Sequence, residues 1–256
     1  MGLPVNISTV SRRAYQLNQE IAAFVRDRAA TGIPYTQDDI AFVNQYIGYG
    51  GMWNYDEELA KERGLYEYYT PVEIVKAMVA LAYKHGYTSG PVLEPSCGIG
   101  RFLHYLPPDT LVTGIELDEI SYLIAKANFP EFDIRYQSFN ALFVDRRGKA
   151  MPFKPGYKLI IGNPPYGEFA GKGTNKEKRL TKANTYVDYF ITRGLDLLYA
   201  GGLLVYIIPS AFLDGKETAV KAQILTKATL VDAYRLPKGM FEQTDIQTDI
   251  VVFKKK

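Results

Sequence analysis

At 256 residues, 47% hydrophobic and 23% charged, the chain carries enough apolar material for one large core without covalent staples. A net charge of +2 excludes a uniformly basic coat, so any nucleic-acid surface must be local. A single cysteine, Cys97, and only two histidines, His85 and His104, exclude an internal disulfide and a cysteine-based zinc site, so no metal is expected. No basic start followed by an apolar core marks a signal peptide, and the most apolar stretch, Leu195 to Leu213, is interrupted by Asp196, Gly201-Gly202 and Pro209. The expectation is a cytoplasmic chain with no membrane span.

Apolar residues Val10, Ala14, Leu17, Ile21, Phe24 and Val25 recur at helical spacing and predict a helix over residues 8–30. Thr36 before Gln37-Asp38-Asp39 reads as the cap and acidic first turn of a second helix. The glycine- and aromatic-rich stretch Gly48 to Trp53 breaks it, and a third short helix is expected around Asp56 to Arg63. Residues 1–64 thus form a helical extension, and residues 65–256 a separate catalytic unit. From Tyr68 the rhythm changes. Pro71 opens a helix to His85, with Thr70 as its candidate cap. Strands follow at Val92-Leu93, Leu111 to Ile115, Phe132 to Tyr136, Tyr157 to Ile161, Gly202 to Ile208, Leu230 to Arg235 and Thr248 to Phe253. Helices are expected at Glu119 to Asn128, Asn184 to Tyr199 and Gly215 to Lys227. Strands alternating with helices imply an α/β fold with a mostly parallel sheet. The absence of a convincing helix between the last two strands predicts a closing antiparallel hairpin. Seven strands ending so is the layout of the Rossmann-like fold of class I S-adenosylmethionine-dependent methyltransferases.

Three strand ends carry chemistry. The first runs into Glu94-Pro95-Ser96-Cys97-Gly98-Ile99-Gly100, which has neither the three-glycine dinucleotide fingerprint nor the Lys and Ser/Thr of a phosphate loop. A glycine turn there lets the backbone approach a ligand without phosphates. Glu116 ends the second strand, where its two carboxylate oxygens suit two ribose hydroxyls or, more blandly, cap the next helix. The fourth strand ends in Asn163-Pro164-Pro165-Tyr166. The prolines remove two N–H donors, so the Asn163 side-chain carbonyl and a backbone carbonyl are left as acceptors beside the flat ring of Tyr166. The turn fits a planar group bearing an NH₂, although a rigid proline turn with a capping Asn has the same residues.

With these motifs in this order, the chain resembles the gamma-class N6-adenine DNA methyltransferases over residues 65–256. It is similar also, from Tyr49-Gly50-Gly51 onward, to the methylase part of phage and mobile-element methylase–helicase proteins. The resemblance implies S-adenosylmethionine as cofactor and DNA as partner. Tyr69 and Thr70, with Glu94, Ser96, Cys97, Gly98 and Gly100, would hold the methionine end, and Glu116 the ribose. Where the family has an acid for the cofactor's adenine, this chain has Gln137-Ser138-Phe139-Asn140. Ser138 or Asn140 would make a neutral contact there, and Phe139 would pack on the ring. Asn163, Pro164, Pro165 and Tyr166 form the implied catalytic motif, with the adenine flipped out of the duplex and stacked on Tyr166. Phe241 matches a second aromatic position near the base. The segment Gly167 to Lys182, with Lys172, Lys176, Lys178 and Arg179, reads as a mobile phosphate-contacting lid or as a solvated basic loop. No element for base readout follows Phe253, so the first sixty residues do that job, or a separate or C-terminal target-recognition or helicase region does as a partner, or the chain has little sequence preference. Asn-Pro-Pro-Tyr motifs also serve methyltransferases of RNA bases and of protein glutamine amides, and a non-catalytic anti-restriction module remains an alternative.

Overall fold

The computed structural model describes residues 12–48, 69–169, 175–240 and 246–256. Helices α1 (Arg12–Thr31) and α2 (Gln37–Val43) come first, the second started by the expected cap: Thr36 accepts from the Asp39 N–H, and Asp39 returns the bond. The expected helix around Asp56 to Arg63 lies outside the described residues. Then come α3 (Val72–Lys84), β1 (Val92–Glu94), β2 (Val112–Glu116), α4 (Glu119–Asn128), β3 (Asp133–Tyr136) and β4 (Tyr157–Gly162). The chain continues through α5 (Asn175–Thr181), α6 (Tyr186–Leu197), β5 (Leu198–Pro209), α7 (Ala211–Asp214), α8 (Ala219–Lys227), β6 (Ala228–Arg235) and β7 (Thr248–Lys255).

All seven expected strands form one sheet in the order β3-β2-β1-β4-β5-β7-β6. The five strands β1 to β5 are parallel, whereas β7 runs antiparallel to both neighbours, the closing hairpin anticipated from the missing crossover helix. Alternation along the strands feeds two cores. Val92, Leu159, Ile161, Val205 and Val252 face α3, while Leu93, Ile160, Leu204, Tyr206 and Val251 face α6 and α8. Burial on both faces explains why these strands read as unbroken apolar runs rather than as alternating ones. The chain leaves β1 toward β2 and β3 but returns on the other side for β4, so a cleft opens between the carboxyl ends of β1 and β4.

The first helices are not a detached appendage. Ile21, Ala22 and Val25 of α1, with Val43 and Tyr46, pack on Ile120 and Ile124 of α4 and on Ile99 of the glycine turn. Arg26 donates two hydrogen bonds to Glu119, at 2.9 and 2.8 Å. The extension therefore backs the β1–β2 half of the cleft.

Two helix boundaries differ from expectation. Pro71 occupies the cap position rather than the first turn, and the Thr70 hydroxyl caps nothing. The helix expected over Gly215 to Lys227 starts only at Ala219, where Thr218 caps it through the Lys221 N–H, and the short α7 precedes Gly215. Among the described residues no helix is long and apolar enough to cross a membrane.

Candidate active site

The cleft encloses about 600 Å³. Its walls come from the ends of β1, β2 and β3, the start of α3 and the turn after β4. Tyr69, Thr70, Glu94, Ser96, Cys97, Gly98, Glu116, Ser138, Phe139 and Asn163, all anticipated from sequence, line it together. Gly100, Pro164 and Tyr166 do not. Phe241 and Lys172 lie outside the described residues, as does the side chain of Lys176.

The glycine turn is shaped by two left-handed residues, Gly98 at φ 54° and Gly100 at φ 86°. A Cβ on Gly98 would meet the Tyr69 ring at 2.7 Å, and one on Gly100 the Phe129 ring at 2.5 Å. Gly98 thus lets the Tyr69 ring pack directly on the turn at the cleft wall, whereas Gly100 serves packing behind it. Cys97 is buried, its sulfur against β2, and burial pushes its thiol well above the ordinary range, so it is filling rather than nucleophile.

Glu116 is more engaged than a simple ribose acceptor. One carboxylate oxygen accepts the Leu117 and Asp118 N–H groups and the other the Gly98 N–H, all at 2.7 Å. A carboxylate offers about four lone-pair sites, so about one is left over, and a second ligand hydroxyl has to share or displace the Gly98 bond. Burial in the cleft pushes the Glu116 carboxyl up to about 7, against the lowering effect of the N–H groups. Glu94, buried at the end of β1, is raised well above the usual carboxylate range by desolvation and then by the charge of Glu116. Both acids therefore keep their protons more tightly in the folded chain than in the unfolded one. Between 4.5 and about 7 Glu116 is protonated only when folded, so stability falls as pH rises through that window and levels off above it. Melting temperatures of the unliganded chain from pH 5 to 8 are expected to decline, and the decline to shrink in Glu116→Gln. An equal slope in that variant would remove Glu116 as the cause.

At the end of β3, Ser138 lines the cleft with no capping hydrogen bond. Phe139 is 4% exposed and belongs to the core, 4.7 Å from Phe190 and 5.3 Å from Phe143 between ring centres, so only its edge reaches the cleft. Sequence alone gave no sign of Tyr189, whose hydroxyl donates to Asn140 Oδ1 at 2.8 Å and leaves the Asn140 amide N–H groups as donors.

The turn after β4 joins this cleft to a second surface. Asn163 reaches the cleft edge, and its backbone carbonyl accepts from Ser96 Oγ at 3.2 Å, tying the turn to the glycine loop. The Tyr166 hydroxyl donates to Asn163 Oδ1 at 2.8 Å. That bond aims the side-chain carbonyl. Burial raises the Tyr166 hydroxyl far above its ordinary range, so it stays a donor. Pro164 is buried, and its carbonyl accepts no backbone bond among the described residues.

The segment after the turn is docked in its described parts, contrary to the mobile lid expected. Phe169 stacks on Tyr189 at 4.2 Å, and its N–H donates to the Asn184 carbonyl at 2.8 Å. Glu177 of α5 is fully buried and grips Arg193 of α6 at 2.7 Å through Nε and 2.6 Å through Nη2. The basic residues are set around that anchor: Lys178 is half-buried and Arg179 exposed. Sequence reading missed Glu177 because an acid between two lysines looks solvated.

The chain is 26% identical over 227 residues to the defense against restriction protein B of Escherichia phage P1, covering 88% of this chain but 9% of that protein. It is 30% identical over 169 residues to the type II methyltransferase M.HincII of Haemophilus influenzae, covering 62% of this chain and 30% of the relative. The chain thus spans less than a third of the length of either. Among solved structures, the methyltransferase subunit of a type I restriction-modification system from Streptococcus thermophilus superposes with a TM-score of 0.62 at 20% identity, over 85% of this chain and 49% of that one. That likeness establishes the fold, and a putative class I S-adenosylmethionine-dependent methyltransferase from Listeria monocytogenes shares it at a TM-score of 0.58, 14% identity, 96% of this chain and 88% of that one. The sequence profile of the N-6 DNA methylase family matches residues 49–256, the whole sheet with its glycine turn and its Asn-Pro-Pro-Tyr turn, and the chain belongs to that family.

Proposed function

We propose that this chain methylates the N6 amine of adenine in DNA, with S-adenosylmethionine as donor in the cleft and the flipped base against the Asn163 to Tyr166 turn. The observation that carries this reading is the Tyr166–Asn163 hydrogen bond of 2.8 Å at the mouth of the cleft, which presents an oriented acceptor where donor and base would meet. The residues suit the donor. The Gly98 turn lines the cleft with backbone and no side chain, the lining offers no phosphate loop, and Glu94 Oε2 is buried without a partner. Thr70, Glu94 and the turn from Ser96 to Gly98 would hold its amino-acid end, Glu116 its ribose, and Ser138 and Asn140 its adenine. When bound, the donor supplies a methyl group made electrophilic by a sulfonium.

What the protein does is orient the acceptor. The amine of adenine is a weak nucleophile because its lone pair is delocalised into the ring. With one N–H accepted by Asn163 Oδ1 and the other by the Pro164 carbonyl, that lone pair is turned out of the ring plane toward the cleft. No general base is needed beside it, which fits a turn with no histidine or cysteine; the work is placement and fixed dipoles. The Tyr166 ring would stack on the flipped base, a contact worth about 1–3 kcal/mol. Lys172, Lys176, Lys178 and Arg179 would meet the phosphates, and Phe241 would lie near the base. We assign sequence readout to a target-recognition region apart from the catalytic fold, in keeping with relatives much longer than this chain, and the setting to the cytoplasm.

The test offers methyl-labelled S-adenosylmethionine with duplex DNA, RNA and a protein extract, and follows where the label goes. Label in DNA supports the reading. Label in RNA alone or on glutamine would replace it, and label in none of the three would favour a binding module.

A further inference from the structure

Arg101 stands just past the glycine turn, lines the cleft, and is the cation there that no acid answers. One of its nitrogens donates to the Thr70 carbonyl at 3.1 Å, and its guanidinium lies over the Tyr69 ring at 5.1 Å. No Asp or Glu pairs with it among the described residues. The comparably enclosed arginines elsewhere do have such partners: Arg28 pairs with Asp39 at 3.1 Å, and Arg193 with Glu177 at 2.6 Å. A guanidinium carries five N–H donors, and here one is used. Burial without a countercharge pulls the Arg101 pKa down, the direction expected of a desolvated cation that lacks its anion.

The same wall holds the opposite deficit. Glu94 is 1% exposed, and its Oε2 has no hydrogen-bond partner. The Thr70 hydroxyl, released from capping α3, lines the same cleft. An unanswered cation and an unanswered acid lining one cleft describe a complement to a zwitterion, and a neutral or phosphate-bearing ligand end would leave one of them uncompensated.

We infer that Arg101 is the carboxylate-binding residue of the donor site, taking the α-carboxylate of the donor's amino-acid end through its unused N–H groups, while Glu94 takes the α-ammonium. This rests on the reading of the cleft as an S-adenosylmethionine site. It assigns to Arg101 a role separate from the turn at Asn163, because it concerns donor affinity and not the activation of the amine.

The test is calorimetric titration of the chain with S-adenosylmethionine and with its decarboxylated analogue, which keeps the ammonium. Arg101→Gln is expected to weaken the first ligand about tenfold to a hundredfold, as for a lost charge-assisted bond, and the second by less than about twofold. Arg101→Lys, which keeps the charge but not the fork, is expected to fall between. Glu94→Gln should weaken both ligands alike. Equal losses for the two ligands in Arg101→Gln, or none for either, would overturn the assignment and leave Arg101 as a prop for Tyr69 and Thr70. Should the parent chain bind neither ligand, the donor reading itself falls, and the assignment with it. Melting curves of each unliganded variant separate loss of contact from loss of fold, and for a misfolded Arg101→Gln the decision passes to Arg101→Lys, whose ligand-dependent difference must persist.

Discussion

Asn163→Ala is expected to lower turnover by roughly a hundredfold or more, the loss seen when one oriented hydrogen-bonding group is removed from a preorganised site. The variant removes the side-chain acceptor but keeps the two prolines, the Pro164 carbonyl and the Asn163 backbone carbonyl that Ser96 holds at 3.2 Å. Donor affinity should therefore change little, and the effect should sit in kcat rather than in KM for the donor. Tyr166→Phe separates the two jobs of the aromatic residue. It keeps the ring for stacking and loses the 2.8 Å bond that aims Asn163 Oδ1, so a smaller loss, about threefold to tenfold, is expected. Single-turnover rates with saturating donor give both numbers. An Asn163→Ala enzyme with parent-like rates would show that the amine is activated by something else.

The second large effect is on stability. Glu177→Ala is expected to cost about 3–5 kcal/mol, because it strands the Arg193 guanidinium in a place where its side chain is 8% exposed. The remaining partner, Asp196 at 3.0 Å, is already shared with Lys227 at 2.6 Å and cannot replace a fully buried carboxylate. Replacing Glu177 and Arg193 together by methionine should restore most of the loss, since the expense lies in the unpaired charge rather than in the missing attraction. Urea denaturation measures both variants. A loss below about 1 kcal/mol for Glu177→Ala would mean that α5 is not docked as described. The pair also bears on the site. The Tyr189 hydroxyl lies 2.8 Å from Asn140 Oδ1 and 3.3 Å from Glu177 Oε2, so one phenol links the anchor of the segment after the Asn163 to Tyr166 turn to the cleft wall at Asn140. Tyr189 is nearly fully buried, and burial raises its hydroxyl far above the ordinary range, so its single proton stays in place, given first to the nearer Asn140.

The sheet was legible because strands buried on both faces are apolar without interruption, and because β6 and β7 lacked a crossover helix between them. The helix expected at Glu119 to Asn128 matches α4 to the residue, and Asp118 caps its start through the Ser121 N–H. Thr70 was misread as a cap. A Thr before a Pro carries the same local signature whether its hydroxyl turns toward the helix or into a cleft, and only the tertiary setting decides. Of the cleft-lining residues anticipated from sequence, Ser96, Cys97, Gly98 and Asn163 sit on glycine or proline turns, where backbone shape constrains residue type. Arg101, Asn140 as a partner of Tyr189, and the Glu177–Arg193 pair were not legible, because an arginine or an acid looks alike in sequence whether it is solvated or paired across the fold. The three-strand separation of Glu94, Glu116 and Asn163 along the chain likewise hides that β1 lies between β2 and β4.

The most direct test of the central claim asks which atom receives the methyl group. DNA incubated with the chain and labelled S-adenosylmethionine is digested to nucleosides, and the methylated product is identified by mass spectrometry, with Asn163→Ala run alongside. The account predicts N6-methyldeoxyadenosine from the parent chain, reduced about a hundredfold or more in the variant. Methyl on a ring carbon or on cytosine, or an equal yield of N6-methyldeoxyadenosine from Asn163→Ala, would contradict it.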